Sequence, residues 1–397
     1  MSLVSEYMPI HAVNDADAPS GQCGESHLKT AGLLLHADNS DALVYLARVG
    51  LAGKVRLVYI DPPYGTRQDF TVTPERSATI SRVNGGTLAY SDSLSGEEYL
   101  GFLRERLTLI SDLMANDGSI YVHIDVKMGH RVRCLMDEVF GERNFINEIT
   151  RIKCNPKNFS RRGYGNVKDV ILFYSKGERF VWNEPRKGIN IEADQRFRSI
   201  DRNGRRYTTT PLHAPGETAN GETGKRWRGM LPPPGRHWRC TPEMLEQLDK
   251  KGLIEWSSTG NPRKIIYADE VAKKGAKVQD VWTFKDPQHA TYPTQKNLEM
   301  LRMIVQASSN EDDWVLDAFA GSGTTLVAAQ ELGRRFIGVD ASWKAIQLAA
   351  ERLVGYKLID LTKRRQLHER VERKNFASRT RAKLLGQAAR NLSSSRC

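Results

Sequence analysis

Val55-Arg56-Leu57-Val58-Tyr59-Ile60-Asp61-Pro62-Pro63-Tyr64 is an apolar run that ends abruptly in a carboxylate, two prolines and an aromatic ring. Six residues rich in β-branched side chains read as a strand, and prolines cannot donate to a ladder, so the strand stops at Asp61. Comparable runs occur at Leu33-Leu34-Leu35-His36, Ser119 to Ile124, Ile149 to Ile152, Val170 to Tyr174, Trp314 to Leu316 and Arg335 to Val339. Several are almost wholly apolar, as strands covered on both faces are. Between them, Glu97 to Met114, Met128 to Val139, Asn297 to Ala307 and Thr325 to Leu332 carry helical spacing. Seven strands alternating with helices predict an α/β fold built on a doubly wound, mostly parallel sheet.

The ends of two of these strands carry chemistry. At the first, the Asp61 side chain and the Pro62 carbonyl are two hydrogen-bond acceptors on an extended chain, suited to an exocyclic amine on a planar ring. Tyr64 adds a flat face for stacking. The run from Trp314 ends in Asp317-Ala318-Phe319-Ala320-Gly321-Ser322-Gly323-Thr324-Thr325, a glycine turn that opens a helix. Gly321 and Gly323 let backbone approach a ligand closely. A phosphate-binding P-loop would need Lys after Gly323, where Thr324 stands, and a dinucleotide fingerprint would need Gly at Leu326. Asp340 ends the next strand, where a carboxylate can accept two ribose hydroxyls, and Asp38 follows the strand at Leu33 to His36, placed to meet an adenine amine. Taken alone, each of these two reads equally well as a helix cap.

The pattern breaks between residues 181 and 288. Gly and Pro cluster there, yet Trp182, Trp227, Trp238, Trp256 and Trp282 fall inside, so the segment reads as a folded insertion rather than a linker. Basic and aromatic residues interleave at Arg226-Trp227-Arg228 and at Arg236, Trp238 and Arg239, a mix suited to phosphate contact and base stacking; any single tryptophan reads better as part of the insertion's own core, while the insertion as a whole reads as a nucleic-acid contact. From Lys357 to Cys397 twelve Lys or Arg face three acidic residues, which reads as a solvated basic helix and tail. Residues 1–25 read as a flexible N-terminal tail. Over the whole chain of 397 residues Lys and Arg exceed Asp and Glu by 59 − 47 = 12, which favours a polyanionic partner. The five cysteines are scattered without CxxC spacing, so neither a disulfide framework nor a metal site is expected. No stretch is apolar enough for a membrane span or signal peptide, and a cytoplasmic, nucleoid-associated protein is expected.

Together, Asp61-Pro62-Pro63-Tyr64 and the later Phe319-x-Gly321-x-Gly323 resemble the amino-methyltransferases that act on DNA, in the permuted (beta) group whose catalytic motif precedes its cofactor motif. The chain is similar to the Mod subunits of type III restriction systems over nearly all of residues 30–355. The resemblance implies a Rossmann-like methyltransferase sheet of seven strands, its catalytic half at 26–180, its cofactor-binding half at 289–356 and a target-recognition insertion at 181–288. It implies S-adenosyl-L-methionine as donor, held by Asp38, Asp61, Thr294, Gln295, Lys296, Asp317, Phe319, Gly321, Ser322, Gly323, Thr324, Thr325 and Asp340. Within this set Tyr292-Pro293-Thr294-Gln295-Lys296 matches the segment closing over the methionine end. Asp61, Pro62, Pro63 and Tyr64 become the catalytic residues, and a flipped base becomes the acceptor.

An exocyclic amine is a poor nucleophile because its lone pair is delocalised into the ring. Acceptors that hold its hydrogens favour a pyramidal nitrogen, and attack can precede proton loss, so Asp61 need not be a strong base. No Pro-Cys pair exists, which argues against covalent methylation at cytosine C5. Asp61 at the first motif position is typical of adenine-N6 enzymes, cytosine-N4 enzymes usually having Ser. The chain departs from the family pattern at Gly65, where Asn is usual, and at Ala318 and Asn297, where Pro is usual. The segment after Tyr64, including Phe70, Thr71, Gly85 and Gly86, reads as a long loop that could serve as a lid over the base. Double-stranded DNA is the expected partner, and a homodimer or a separate restriction subunit is compatible with the resemblance. The rival readings are an RNA or protein amine methyltransferase and a DNA-binding subunit without catalysis; motif order opposes the first, and the intact Asp61, Gly321, Gly323 and Asp340 oppose the second.

Overall fold

Val55–Ile60 is the fifth of nine strands in one sheet and is buried along nearly its whole length. The computed structural model describes residues 30–63, 69–72, 87–91, 96–155, 162–192, 194–218, 220–286 and 296–362. In chain order the strands are β1 (Gly32–His36), β2 (Val55–Ile60), β3 (Met114–Ile124), β4 (Phe145–Ile152), β5 (Lys168–Ser175), β6 (Val281–Trp282), β7 (Trp314–Asp317), β8 (Arg335–Asp340) and β9 (Tyr356–Asp360). Their spatial order is β6-β4-β5-β3-β2-β7-β8-β1-β9. Every neighbouring pair is parallel except the two made by β5, which runs against β3 and β4.

Helices cover both faces because both faces are apolar. On one, Leu33, Leu35, Val58, Ile60, Ile120 and Val122 form a single cluster with α1 (Asn39–Leu46), α2 (Glu97–Leu113) and α3 (Gly129–Phe140). The other carries α4 (Leu298–Ser308), α5 (Thr324–Glu331) and α6 (Trp343–Ala350). There Tyr121 of β3 bonds Ser308 of α4 at 2.8 Å, and Gly338 of β8 leaves the space that Leu326 of α5 fills. The expected doubly wound, mostly parallel sheet is therefore present, with nine strands instead of seven.

The two additional strands lie where no periodic signal could have revealed them. Val281–Trp282 is only two residues long, and it makes Trp282 part of the sheet rather than of the insertion. Tyr356–Asp360 pairs in parallel with β1, so the residues from Lys357 to Asp360 are an edge strand and not the start of a basic helix. Trp182 likewise belongs with the sheet, its ring stacked 5.8 Å from that of Phe173. The segment after Tyr64, expected as a long loop, contains an antiparallel hairpin of Asp69–Val72 with Thr87–Ser91; Gly85 and Gly86 lie outside the described residues.

The described residues up to Asn183 and from Gln279 onward form one compact unit, and those of Glu184–Val278 form a second. In the second unit Arg206–Pro211 pairs with Pro262–Tyr267, which pairs with Ile254–Trp256. A helix, Pro242–Lys250, is capped by the Thr241 side chain and presents Leu245 to a small core with Leu212, Trp227 and Trp238. No described helix is long and apolar enough to cross a membrane.

Candidate active site

Four carboxylates stand at the carboxyl ends of four adjacent strands: Asp61 after β2, Asp317 in β7, Asp340 in β8 and Asp38 after β1. All four line one cavity of about 260 Å³. Parallel strands bring such ends to one edge of the sheet, which is where α/β folds bind ligands.

Local chemistry sets each position. Pro62 and Pro63 end the β2 ladder, and the Asp61 side chain is only 15% exposed beside it. Asn297 caps α4: its side chain accepts from Met300 N at 3.1 Å and donates to Lys285 O at 3.0 Å. This gives the departure from the family's Pro a role, because the cap holds the chain at the helix entrance. The preceding residue, Lys296, places Nζ 2.6 Å from Asp61 Oδ2.

The glycine turn is held by two of the carboxylates. Asp317 accepts from Phe319 N at 3.0 Å and from Thr325 Oγ1 at 2.6 Å, tying the strand end to the first turn of α5. Asp340 accepts from Gly321 N at 2.9 Å and Ser342 N at 2.8 Å. Gly321 and Gly323 have φ of 51° and 76°, in the left-handed region that favours glycine. A Cβ on Gly323 would lie 2.8 Å from the Ala349 Cβ, so that position has no room for a side chain either. Asp38 caps α1 through Ser40 N at 2.9 Å, and both its oxygens accept from a single guanidinium nitrogen, Arg106 Nη2, at 3.0 and 3.1 Å. The cap and ligand readings of Asp38 are thus compatible, since it caps α1 while lining the cavity, whereas the cap of α6 is Ser342 and Asp340 only holds the turn before it.

Crowding of carboxylates shapes the charge. Burial pushes Asp317 up to about 7, with Asp61 and Asp340 adding repulsion and the bonds from Thr325 and Phe319 opposing it. Burial also raises Asp340, against the pull of the Ser342 and Gly321 amides. Lys296 and Arg106 offset two of the four carboxylates and burial favours the protonated forms of the other two, so the lining is rich in hydrogen-bonding groups without being strongly anionic.

Of the residues expected around a donor, Asp38, Asp61, Lys296, Asp317, Phe319, Gly321, Ser322, Thr324, Thr325 and Asp340 all line this cavity, as does Pro63. Gly323 shapes the turn, and Pro62 is buried next to Asp61. Tyr64, Thr294 and Gln295 lie outside the described residues. The residues expected to touch nucleic acid divide. Trp227 and Trp238 are each 2% exposed and packed edge to face at 6.1 Å, so neither presents a ring for base stacking; they are the core of the second unit. Arg228 is exposed but compensated by Glu246 at 2.8 Å and Asp249 at 2.7 Å. Arg226, Arg236 and Arg239 are exposed and bond Gly229 O, His213 Nδ1 and Pro211 O.

Sequence reasoning passed over Tyr59, Phe102 and Arg106. Tyr59 and Phe102 line the cavity, and the Arg106 guanidinium lies 3.6 Å over the Phe102 ring. The available signal was a tyrosine inside a mostly apolar strand, and an arginine on the apolar stripe of α2.

The profile of a family described as DNA methylase matches residues 55–351. The type II methyltransferase M.EcaI of Enterobacter cloacae is 43% identical over 335 residues, covering 83% of this chain and 70% of that protein. The Mod subunit of the type III restriction-modification enzyme StyLTI of Salmonella typhimurium is 27% identical over 378 residues, covering 84% of this chain but only 56% of the relative. Among solved structures, M1.HpyAVI in complex with SAM aligns with a TM-score of 0.42 at 18% identity, covering 81% of this chain and 100% of that one. The extent of the family match, over both strand ends that carry the cavity's motifs, makes this chain a member of the N6/N4 DNA methylase family.

Proposed function

We propose that this chain methylates the exocyclic N6 of adenine at a specific site in double-stranded DNA, with S-adenosylmethionine as donor. The observation that carries the reading is the shared cavity, in which Asp61 stands at one end of a row of carboxylates that continues through Asp317 and Asp340 to Asp38. When bound, the donor would supply an electrophilic methyl group on a sulfonium. Asp340 suits its ribose hydroxyls, Asp38 its adenine amine, and the glycine turn gives the close approach of backbone.

Asp61 acts as an acceptor rather than a strong base. The ammonium of Lys296 stands against one of its oxygens, and the Asp61 carboxylate and the Pro62 carbonyl are the acceptors for the hydrogens of the target amine. Holding both hydrogens withdraws the nitrogen lone pair from the ring and aims it at the methyl group. The attacking nitrogen becomes cationic and then loses its proton readily. Asp61 at the first motif position supports adenine over cytosine-N4. Within the second unit, Arg226, Arg236 and Arg239 are the better candidates for phosphate contact, their guanidinium groups being exposed.

The test is to incubate the purified protein with unmethylated genomic DNA and S-adenosylmethionine, digest to nucleosides and analyse by mass spectrometry beside Asp61→Ala. N6-methyladenine that is absent from the variant supports the reading. N4-methylcytosine would keep the mechanism and overturn the choice of base, and no methylated nucleoside would overturn the reading for this chain acting alone.

A further inference from the structure

Asp61 has two flanks in the sheet. Toward β7, β8 and β1 lie the carboxylates assigned above to the donor. Toward β3, β5 and β4 runs a second set of polar groups that this assignment leaves unused. Tyr59 lies two residues before Asp61 and lines the same cavity, and its hydroxyl is 2.8 Å from His123 Nδ1. His123, near the end of β3, places Nε2 3.2 Å from Asp169 Oδ2 of β5. Asp169 is held in turn by Lys153 and by Arg151 of β4. The Arg151 side chain is fully buried and also bonds Asp286 and the Phe284 carbonyl.

The hydrogen-bond direction along this chain is determined. Burial alone would raise Asp169, but the bonds from His123 and Lys153 hold it well below the usual carboxylate range, so it only accepts. His123 must then carry its proton on Nε2 and accept at Nδ1, which makes Tyr59 the donor. Burial and the nearby Lys296 push His123 below its ordinary value, and burial pushes Tyr59 up, so both are neutral. Tyr59 and His123 are 1% and 0% exposed. A connected polar chain in a sheet core gains little net stability over apolar packing, because each group is first stripped of water. Its benefit is directional: each member fixes the next, and the last one is a cavity wall beside Asp61.

We propose that Tyr59 and His123 are positioning residues for the methyl acceptor: Asp169 orients His123, His123 orients the Tyr59 phenol, and the Tyr59 ring sets where the target amine meets Asp61. The inference rests on the amine-methylation reading above and concerns the flank away from the donor. Removing the chain therefore slows methyl transfer and leaves donor binding alone.

The experiment compares Tyr59→Phe, His123→Leu, the double variant and His123→Asn, reading single-turnover methyl transfer, donor affinity by calorimetry and melting temperature. Tyr59→Phe keeps the ring and removes only the hydroxyl, so folding survives. The expected result is about tenfold slower transfer in each of the first two variants, from small misplacement of the acceptor. Donor Kd stays within about twofold, and the double variant is no slower than the slower single one, as for residues acting as a unit. His123→Asn, which can still accept from Tyr59, recovers part of the rate. Unchanged transfer in Tyr59→Phe, losses that multiply in the double variant, or a rate that only follows the melting temperature would each overturn the proposal. Failure of the wild type to methylate DNA would overturn the parent reading instead, and the two failures are distinct.

Discussion

Lys296 Nζ lies 2.6 Å from Asp61 Oδ2, with the two side chains 10% and 15% exposed. The lysine comes from the entrance of α4 and the aspartate from the end of β2, so residues 235 positions apart meet where the proposed reaction would hold the amine. The pairing gives Lys296 a second role beyond the one implied by its place in the donor-closing segment. It places a positive charge against the proposed acceptor of the site, a carboxylate that shares the cavity with Asp317.

Lys296→Met should therefore reduce methyl transfer by about a hundredfold, the scale of one positioned electrostatic group. Lys296→Arg should retain a measurable part of it. Transfer rates at saturating donor and DNA check this, and a Lys296→Met enzyme with wild-type turnover would remove the lysine from the mechanism.

Asp317 gives a pH signature in the free protein. Its carboxyl is raised from 3.8 to about 7 by burial, so the folded state prefers the protonated form. That contribution to stability is fully present below pH 3.8 and is lost progressively as pH rises to about 7. At about 1.4 kcal/mol per pH unit the whole effect is on the order of 4 kcal/mol. Asp317→Asn mimics the protonated form and keeps an acceptor for Phe319 N, so it should melt higher than wild type at pH 8 and close to it at pH 4. Donor affinity should fall at the same time. Calorimetric melting across that range, with donor titration at pH 8, measures both; a gap that is constant with pH would contradict the assignment.

Arg106 is 5% exposed on its side chain and grips both oxygens of Asp38, a residue on the donor side of the cavity. Arg106→Met should weaken donor binding about tenfold through the misplaced Asp38 and leave turnover at saturating donor nearly unchanged, the pattern of a lost binding interaction. Arg106→Lys should fall between, because an ammonium can meet Asp38 but lacks the further guanidinium nitrogens that bond Asn39 and the Phe102 carbonyl. A fall in turnover with unchanged donor affinity would refute this placement of Asp38.

The second unit separates charge from core. Replacing Arg226, Arg236 and Arg239 with Ala should weaken DNA binding at low salt and flatten its salt dependence, each lost phosphate contact lowering the log–log slope by about one. Trp238→Ala should instead cost about 3–5 kcal/mol of stability in this unit, as a large buried aromatic ring does. Filter binding at several ionic strengths and a melting curve tell the two apart. DNA binding by the triple variant with the wild-type salt slope would exclude these arginines as contacts.

Some of this was legible in local sequence. A short apolar run with prolines after it has one reasonable structure, and a glycine turn between a strand and a helix has another, because backbone sterics act over a few residues. The alternation of such runs with helical spacing yielded the covered, mostly parallel sheet, and Asp38, Asp61, Asp317 and Asp340 could each be named from a strand end. Tertiary structure alone decided that these ends lie on adjacent strands, that β5 runs backwards and that Tyr356–Asp360 completes the edge. It also decided that Trp227 and Trp238 turn inward, that Lys296 meets Asp61, and that Tyr59 and His123 join beneath the site. These outcomes depend on which strand pairs with which and in what register, a choice made by contacts far apart in the chain that no local pattern encodes.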